Sequence, residues 1–215
     1  MRPNHFAVPV LLLAAALISG CRIESDKKGN GDDVKIATPF GGMSVKTDDA
    51  DVTKNIGLPA YPGAVVVTKK DKDDHNDGAA DINMSFGSFQ LRVKAVSYTT
   101  PDSPAQVLAF YKKALARYGT VIQCKDHSAV GQPDHTPEGL TCSDDDRHKN
   151  QIHVDDDMSG KMELKAGSKQ HQHIVGIDPQ GTGTKFGLVA LDLPGHFSFG
   201  DKDDKDKDDE DGGKQ

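Results

Sequence analysis

Apolar and polar positions alternate along most of the middle of this chain. Val34-Lys35-Ile36-Ala37 and Met43-Ser44-Val45-Lys46 are short period-two runs around Thr38-Pro39-Phe40-Gly41-Gly42, which predicts a small β-hairpin with a glycine turn. Asp48 to Ile56 suits a short helix, and Ala64 to Thr68 a strand. Asp81 to Phe86 and Phe89 to Tyr98 alternate again, with Phe89, Leu91, Val93 and Ala95 sharing one face and Gly87-Ser88 placed for the turn or a bulge. The period then changes. Ser103, Pro104 and Gln106 form a helix start with a capping box, and Val107, Tyr111, Ala114, Leu115 and Tyr118 follow at helical spacing up to Gly119. Val121 to Cys124, Leu140 to Cys142, Lys161 to Lys165, His171 to Asp178 and Lys185 to Leu193 read as further strands. The last two are joined by Pro179-Gln180-Gly181-Thr182-Gly183, a glycine-rich hairpin turn. One main helix between two groups of strands predicts an α+β fold, an antiparallel sheet with the helix packed on one face.

Composition sets the outer limits. The 215 residues hold 26 Lys plus Arg and 33 Asp plus Glu, a net charge of −7, with 35% hydrophobic residues and no tryptophan. That fits one modest domain and excludes a chain disordered throughout. The acidic balance excludes a nucleic-acid partner, since no basic stripe can neutralise phosphates. The organisation read from these patterns is a leader over 1–20, a flexible tether over 21–33, and a single domain over 34–200. The 34–47 hairpin either belongs to that domain or stands as a separate element, and a disordered acidic tail covers 201–215.

The N-terminus speaks to location. A basic start, the apolar run from Phe6 to Ile18 and small residues at its end have the form of a secretory signal peptide, and the run is shorter than the ~18 residues of a membrane span. Its ending, Ile18-Ser19-Gly20-Cys21, resembles the bacterial lipobox. That resemblance implies removal of residues 1–20 and acylation of Cys21, which would tie the chain to a membrane through several acyl chains. Arg22 after the cysteine implies, by the same resemblance, sorting to the outer membrane, facing the periplasm. The stretch from Leu58-Pro59-Ala60-Tyr61-Pro62-Gly63-Ala64 through the Phe110-Tyr111 helix is similar to segments of uncharacterised bacterial envelope lipoproteins, which carry no activity to transfer. In an exported chain with Cys21 acylated, Cys124 and Cys142 remain to pair as a disulfide; two buried free thiols or a metal pair are the alternatives.

Candidate chemistry is sparse. His127, His135, His148 and His153 fall in an Asp-rich stretch and are the weak candidates for a metal site, while His171 and His173 share one strand face. Asp73-x-His75-x-Asp77-Gly78 begins like a calcium loop, but Met84 stands where the bidentate Glu would be. Gly181-Thr182-Gly183-Thr184-Lys185 lacks phosphate-loop spacing. There is no Gly-x-Ser-x-Gly and no His-Glu-x-x-His. Phe40, Tyr61, Phe197 and Phe199 either close the edges of the core or form an interaction patch, and core closure is the expectation. The reading from sequence is therefore a lipid-anchored envelope protein without enzymatic activity or cofactor, binding an envelope protein or glycan. A small-ligand or metal-binding lipoprotein is the alternative, and a hydrolase with a spatially assembled site the second.

Overall fold

A computed structural model describes residues 21–28, 31–67, 78–142 and 161–195. Eleven strands and two helices follow in the order β1 (Arg22–Lys28), β2 (Gly31–Thr38), β3 (Gly41–Lys46), α1 (Asp49–Asn55), β4 (Val65–Val66), β5 (Ala79–Phe86) and β6 (Phe89–Thr100). Then come α2 (Pro104–Leu115), β7 (Ile122–Lys125), β8 (Ser128–Ala129), β9 (Met162–Gly167), β10 (His171–Gln180) and β11 (Gly183–Asp192). All strands join one antiparallel sheet in the order β1-β2-β3-β5-β6-β11-β10-β9-β7-β8, with β4 paired to the end of β6. The sheet runs from edge strand β1 to edge strand β8 without closing on itself. This is the α+β architecture that the alternation predicts.

Helix α2 forms where the sequence signals it. Its first residue is Pro104, and the Gln106 side chain accepts from the Ser103 N–H at 3.0 Å and from the Ser103 hydroxyl at 2.8 Å. Such bonds occupy donors that the first turn cannot pair internally. The helix continues as a 3₁₀ turn, Ala116–Tyr118, before Gly119. Val107, Tyr111 and Leu115, spaced by four, are fully buried against β9, β10 and β11. Opposite them lie Leu164, Val175, Ile177, Phe186 and Leu188. Burial of each such side chain contributes about 1.5–3 kcal/mol. Helix α1, capped by Asp48 accepting from the Asp51 N–H, adds Val52 and Ile56 over β5 and β6. Tyr98 stacks on Phe186 with centroids 5.3 Å apart, and Tyr61 meets Phe186 edge-on at 5.9 Å.

The buried phenols all find partners, as groups withdrawn from water must. Tyr111 donates to the Pro59 carbonyl at 3.1 Å, Tyr98 to the Thr53 hydroxyl at 3.1 Å and Tyr61 to Asp102 Oδ2 at 2.7 Å. The bond to Asp102, and then burial, hold the Tyr61 phenol above its usual pKa.

Two expectations change. The tether reading of 21–33 gives way to strand β1 and the start of β2, paired from Arg22 opposite Ala37 to Lys28 opposite Gly31. Charged side chains are compatible with a strand there because its backbone bonds to β2 while one side faces water. The 34–47 hairpin is integral, since β3 pairs with β5 from Gly41–Phe86 to Lys46–Asp81. The acidic tail lies outside the described residues.

Candidate functional site

The two faces of this sheet differ in what covers them. Both helices pack on one face, where β6 presents Val96, Tyr98 and Thr100. Side chains alternate along a strand, so Leu91, Val93 and Ala95 point to the other. Cross-strand register extends that open face into rows. One row is Ile23, Ile36, Met43, Met84 and Leu91. The next is Val34, Val45, Ile82, Val93 and Leu191. A third runs through Ala80, Ala95, Val189 and Ile174 to Lys165. None of these residues belongs to either buried core cluster.

Polarity inverts across the β1–β5 half of the sheet. On its helix-side face Asp26, Asp33, Lys46, Asp81 and Lys94 lie in register, all of them charged, and Lys94 donates to the Asn55 carbonyl at the end of α1 at 3.2 Å. Arg22 pairs with Glu24 at 2.5 Å and Lys35 with Asp33 at 3.5 Å. Directly behind these charges are the apolar rows.

The open face is also graded along the strands. At the end formed by the β2–β3 and β5–β6 tips, Phe40 is 84% exposed and Phe86 44%. The tips touch, with the Gly87 N–H donating to the Phe40 carbonyl at 3.3 Å. At the opposite end the same face carries Asp178, Lys185 and Thr99 in one row, and Lys165 paired with Glu163 at 3.2 Å. Phe40 is thus exposed, against the expectation of core closure, because it sits at a hairpin tip with no element above it. Tyr61 is buried as that expectation has it. Phe197 and Phe199 lie outside the described residues.

Among the described residues one corner of the open face is covered. Ile122 and Cys124 of β7 share this side with Lys165 and Glu163, and Leu140 and Cys142 pack onto them. The Cys124–Cys142 disulfide, with Cα atoms 5.5 Å apart, ties that loop to β7. Cys21 is free and exposed at the start of β1.

The histidines are dispersed. His127 sits at the β7–β8 turn with φ 61°, and His135 contacts Asp134 at 2.8 Å, both exposed. His148 and His153 lie outside the described residues, as does the Asp71–Asp77 stretch. Among the described residues no group of three His, Cys, Asp or Glu side chains is placed to hold a metal ion. His171 and His173 do share a face: His171 Nδ1 lies 2.9 Å from Asp192 Oδ1. The His173 ring stacks on Tyr118 at 3.6 Å, and Arg117 sits over the other ring contact of Tyr118 at 4.7 Å. Tyr118 donates to the Gly57 carbonyl at 2.5 Å, and Arg117 donates to the same oxygen. Burial, then the Arg117 charge, lowers the His173 pKa, with Asp192 opposing. The arrangement clamps the end of α2 to the loop after α1. It brings the His173 imidazole and the Tyr118 phenol into a stack.

A shallow cleft of about 350 Å³ beside the β10–β11 turn is lined by Val65, Thr99, Gln180, Thr182 and Thr184 and by backbone. It holds no titratable side chain. The turn itself is the hairpin that the glycines predict, Gln180 facing Gly183.

Sequence reasoning groups the residues of the open face correctly but does not identify that face as the uncovered one. Among the described residues no helix is long and apolar enough to cross a membrane, which says nothing of strands. No protein-family model matches this chain, and no curated protein or solved structure matches it either.

Proposed function

We propose that this chain is a lipid-anchored protein of the bacterial cell envelope, attached through Cys21, and that it acts as a non-enzymatic binding module. Its working surface is the open face of the sheet, which docks an apolar component of the envelope. The observation that carries this reading is the pair of uncharged rows across β1–β6, which nothing among the described residues covers, while the reverse of the same strands is charged. An exposed apolar patch of a few hundred Å² is of the size that is often functional on a soluble protein. Arg22 after the anchor favours the outer membrane, with the domain facing the periplasm.

Two measurements test this in a bacterial host expressing the full chain. Intact mass of the membrane-extracted protein should show an acyl adduct that Cys21→Ser abolishes. A photo-crosslinking residue at Met84, on the open face, should capture envelope components in intact cells, whereas one at Lys35, on the reverse, should not. Equal capture from both sides would refute a dedicated face, and an unmodified Cys21 would refute the anchor.

A further inference from the structure

We propose that the occupant of the open face is the lipid bilayer itself, with the sheet seated on the membrane and its Cys21 corner deepest; the role of Cys21 in this rests on the anchor reading above. The register places the cysteine. Arg22 pairs with Ala37, so Cys21 continues the ladder beside Thr38, and Thr38 faces Gly41, which faces Phe86, which faces Phe89. By two-residue alternation Cys21 falls on the same side as Ile23, which is 70% exposed. The exposed thiol, the Phe40 tip and the Phe86 tip therefore lie at one end of one face.

The gradient along the strands fits a bilayer. Aromatic tips come first, then the Ile, Met and Leu row, then the Val row, and beyond it the charges, Lys27 opposite Asp32 on β1–β2 and Lys185 opposite Asp178 at the far end. Aromatic and apolar side chains belong at the acyl boundary and charges in water, which is the order met on moving away from Cys21. The reverse side of β1–β5, with its row of charged residues, then faces solvent.

Depth is limited by the backbone. Among the described residues β1 is an edge strand, and backbone groups left open along it could not be satisfied in hydrocarbon. The sheet accordingly rests in the interface and does not span it. A second copy fits less well. Five strand spacings of ~4.8 Å by two row spacings of ~7 Å give a projected patch of roughly 24 by 14 Å, a few hundred Å², against the ~800 Å² per partner of a standard interface. Stacking two such faces would also leave the Phe40 tip in water.

The chain lacks tryptophan, so a single introduced one is an unambiguous reporter. Full-length Phe86→Trp and Lys35→Trp proteins, extracted from host membranes, are reconstituted into phosphatidylethanolamine–phosphatidylglycerol vesicles with and without brominated acyl chains. Bromolipid should lower the emission of Phe86→Trp by about half and leave Lys35→Trp unchanged, since quenching needs contact with the acyl region. Phe40→Trp, at an exposed tip where folding is insensitive to side-chain size, should behave as Phe86→Trp does. If Cys21 is acylated and neither Phe86→Trp nor Phe40→Trp is quenched, the membrane seating is overturned and the anchor reading stands. If both are quenched but Cys21 is unmodified, the anchor reading fails and the seating stands. Equal quenching at Lys35→Trp, or unquenched protein that crosslinks as a dimer, overturns the proposal.

Discussion

Two leucines of one strand report which side of the sheet is covered. Leu188 and Leu191 lie three residues apart on β11 and so on opposite faces. Leu188 is fully buried under α2 with Val175, Phe186 and Val96 in the same core. Leu191 stands on the open face opposite Val93 and Gln172 and belongs to no core cluster. Truncating Leu188→Ala removes buried methyl groups and leaves a cavity, which costs about 3–4 kcal/mol. Leu191→Ala loses mainly one cross-strand contact, about 1 kcal/mol. Strand propensity changes equally in both, so it cancels from the comparison. The difference of about 2–3 kcal/mol corresponds to roughly 4–12 °C in the unfolding midpoint for a domain of this size. Thermal and denaturant unfolding of the two variants in detergent-free buffer would measure it. Equal losses would show that part of this chain packs over Leu191, and the open face would not exist.

Three further predictions follow from single features. Replacing Cys124 and Cys142 together by Ala opens a loop with a sequence separation of 18 and should lower stability by about 3 kcal/mol, read as a lower denaturant midpoint that reductant reproduces in the parent protein. His173, held below its usual pKa by burial and Arg117, stays neutral in the folded chain at a pH where the unfolded chain has already bound a proton. Stability should therefore decline as pH falls below about 6.5, through the lowered folded pKa, and His173→Phe should flatten that decline while keeping the stack on Tyr118. A profile unchanged by that substitution would remove His173 from the account. Gly167 has φ +109°, and a Cβ there would lie 2.1 Å from the His171 carbonyl oxygen. Gly167→Ala should cost about 2 kcal/mol or more, seen in the same melts.

Local chemistry made much of this fold readable. The Ser103-Pro104-Gln106 start, the Gly41-Gly42 turn and the Gly87 turn each act within four residues, and each element lies where those residues place it. Strand β1 escaped because its signal is not local. Its seven residues hold one large apolar side chain, Ile23, and it is a strand because β2 offers a ladder to pair with. The contact of Tyr118 with His173 is likewise a product of topology, set when α2 lies across β10. Alternation in β6 named both sides correctly but could not rank them. Val93 and Ala95 on one side look as core-like as Val96 and Tyr98 on the other.

What separates the two sides is coverage, and coverage follows from lengths. Ten strands in one path span about 43 Å at ~4.8 Å per spacing. Helix α2, with 12 residues, is about 18 Å long and α1, with 7, about 10 Å at 1.5 Å per residue. Among the described residues the helices pack mainly on β9–β11 and β5–β6. Past them, on the helix side of β1–β3, the chain places Asp26, Asp33 and Lys46 in one row. The open face has even less cover within the described residues, yet the positions behind Asp33 and Lys46 are Val34 and Val45. Two successive rows without a charge on that side, from Ile23 to Leu91 and from Val34 to Leu191, beside the charged row behind them, are the physical argument that this part of the face works against an apolar surface.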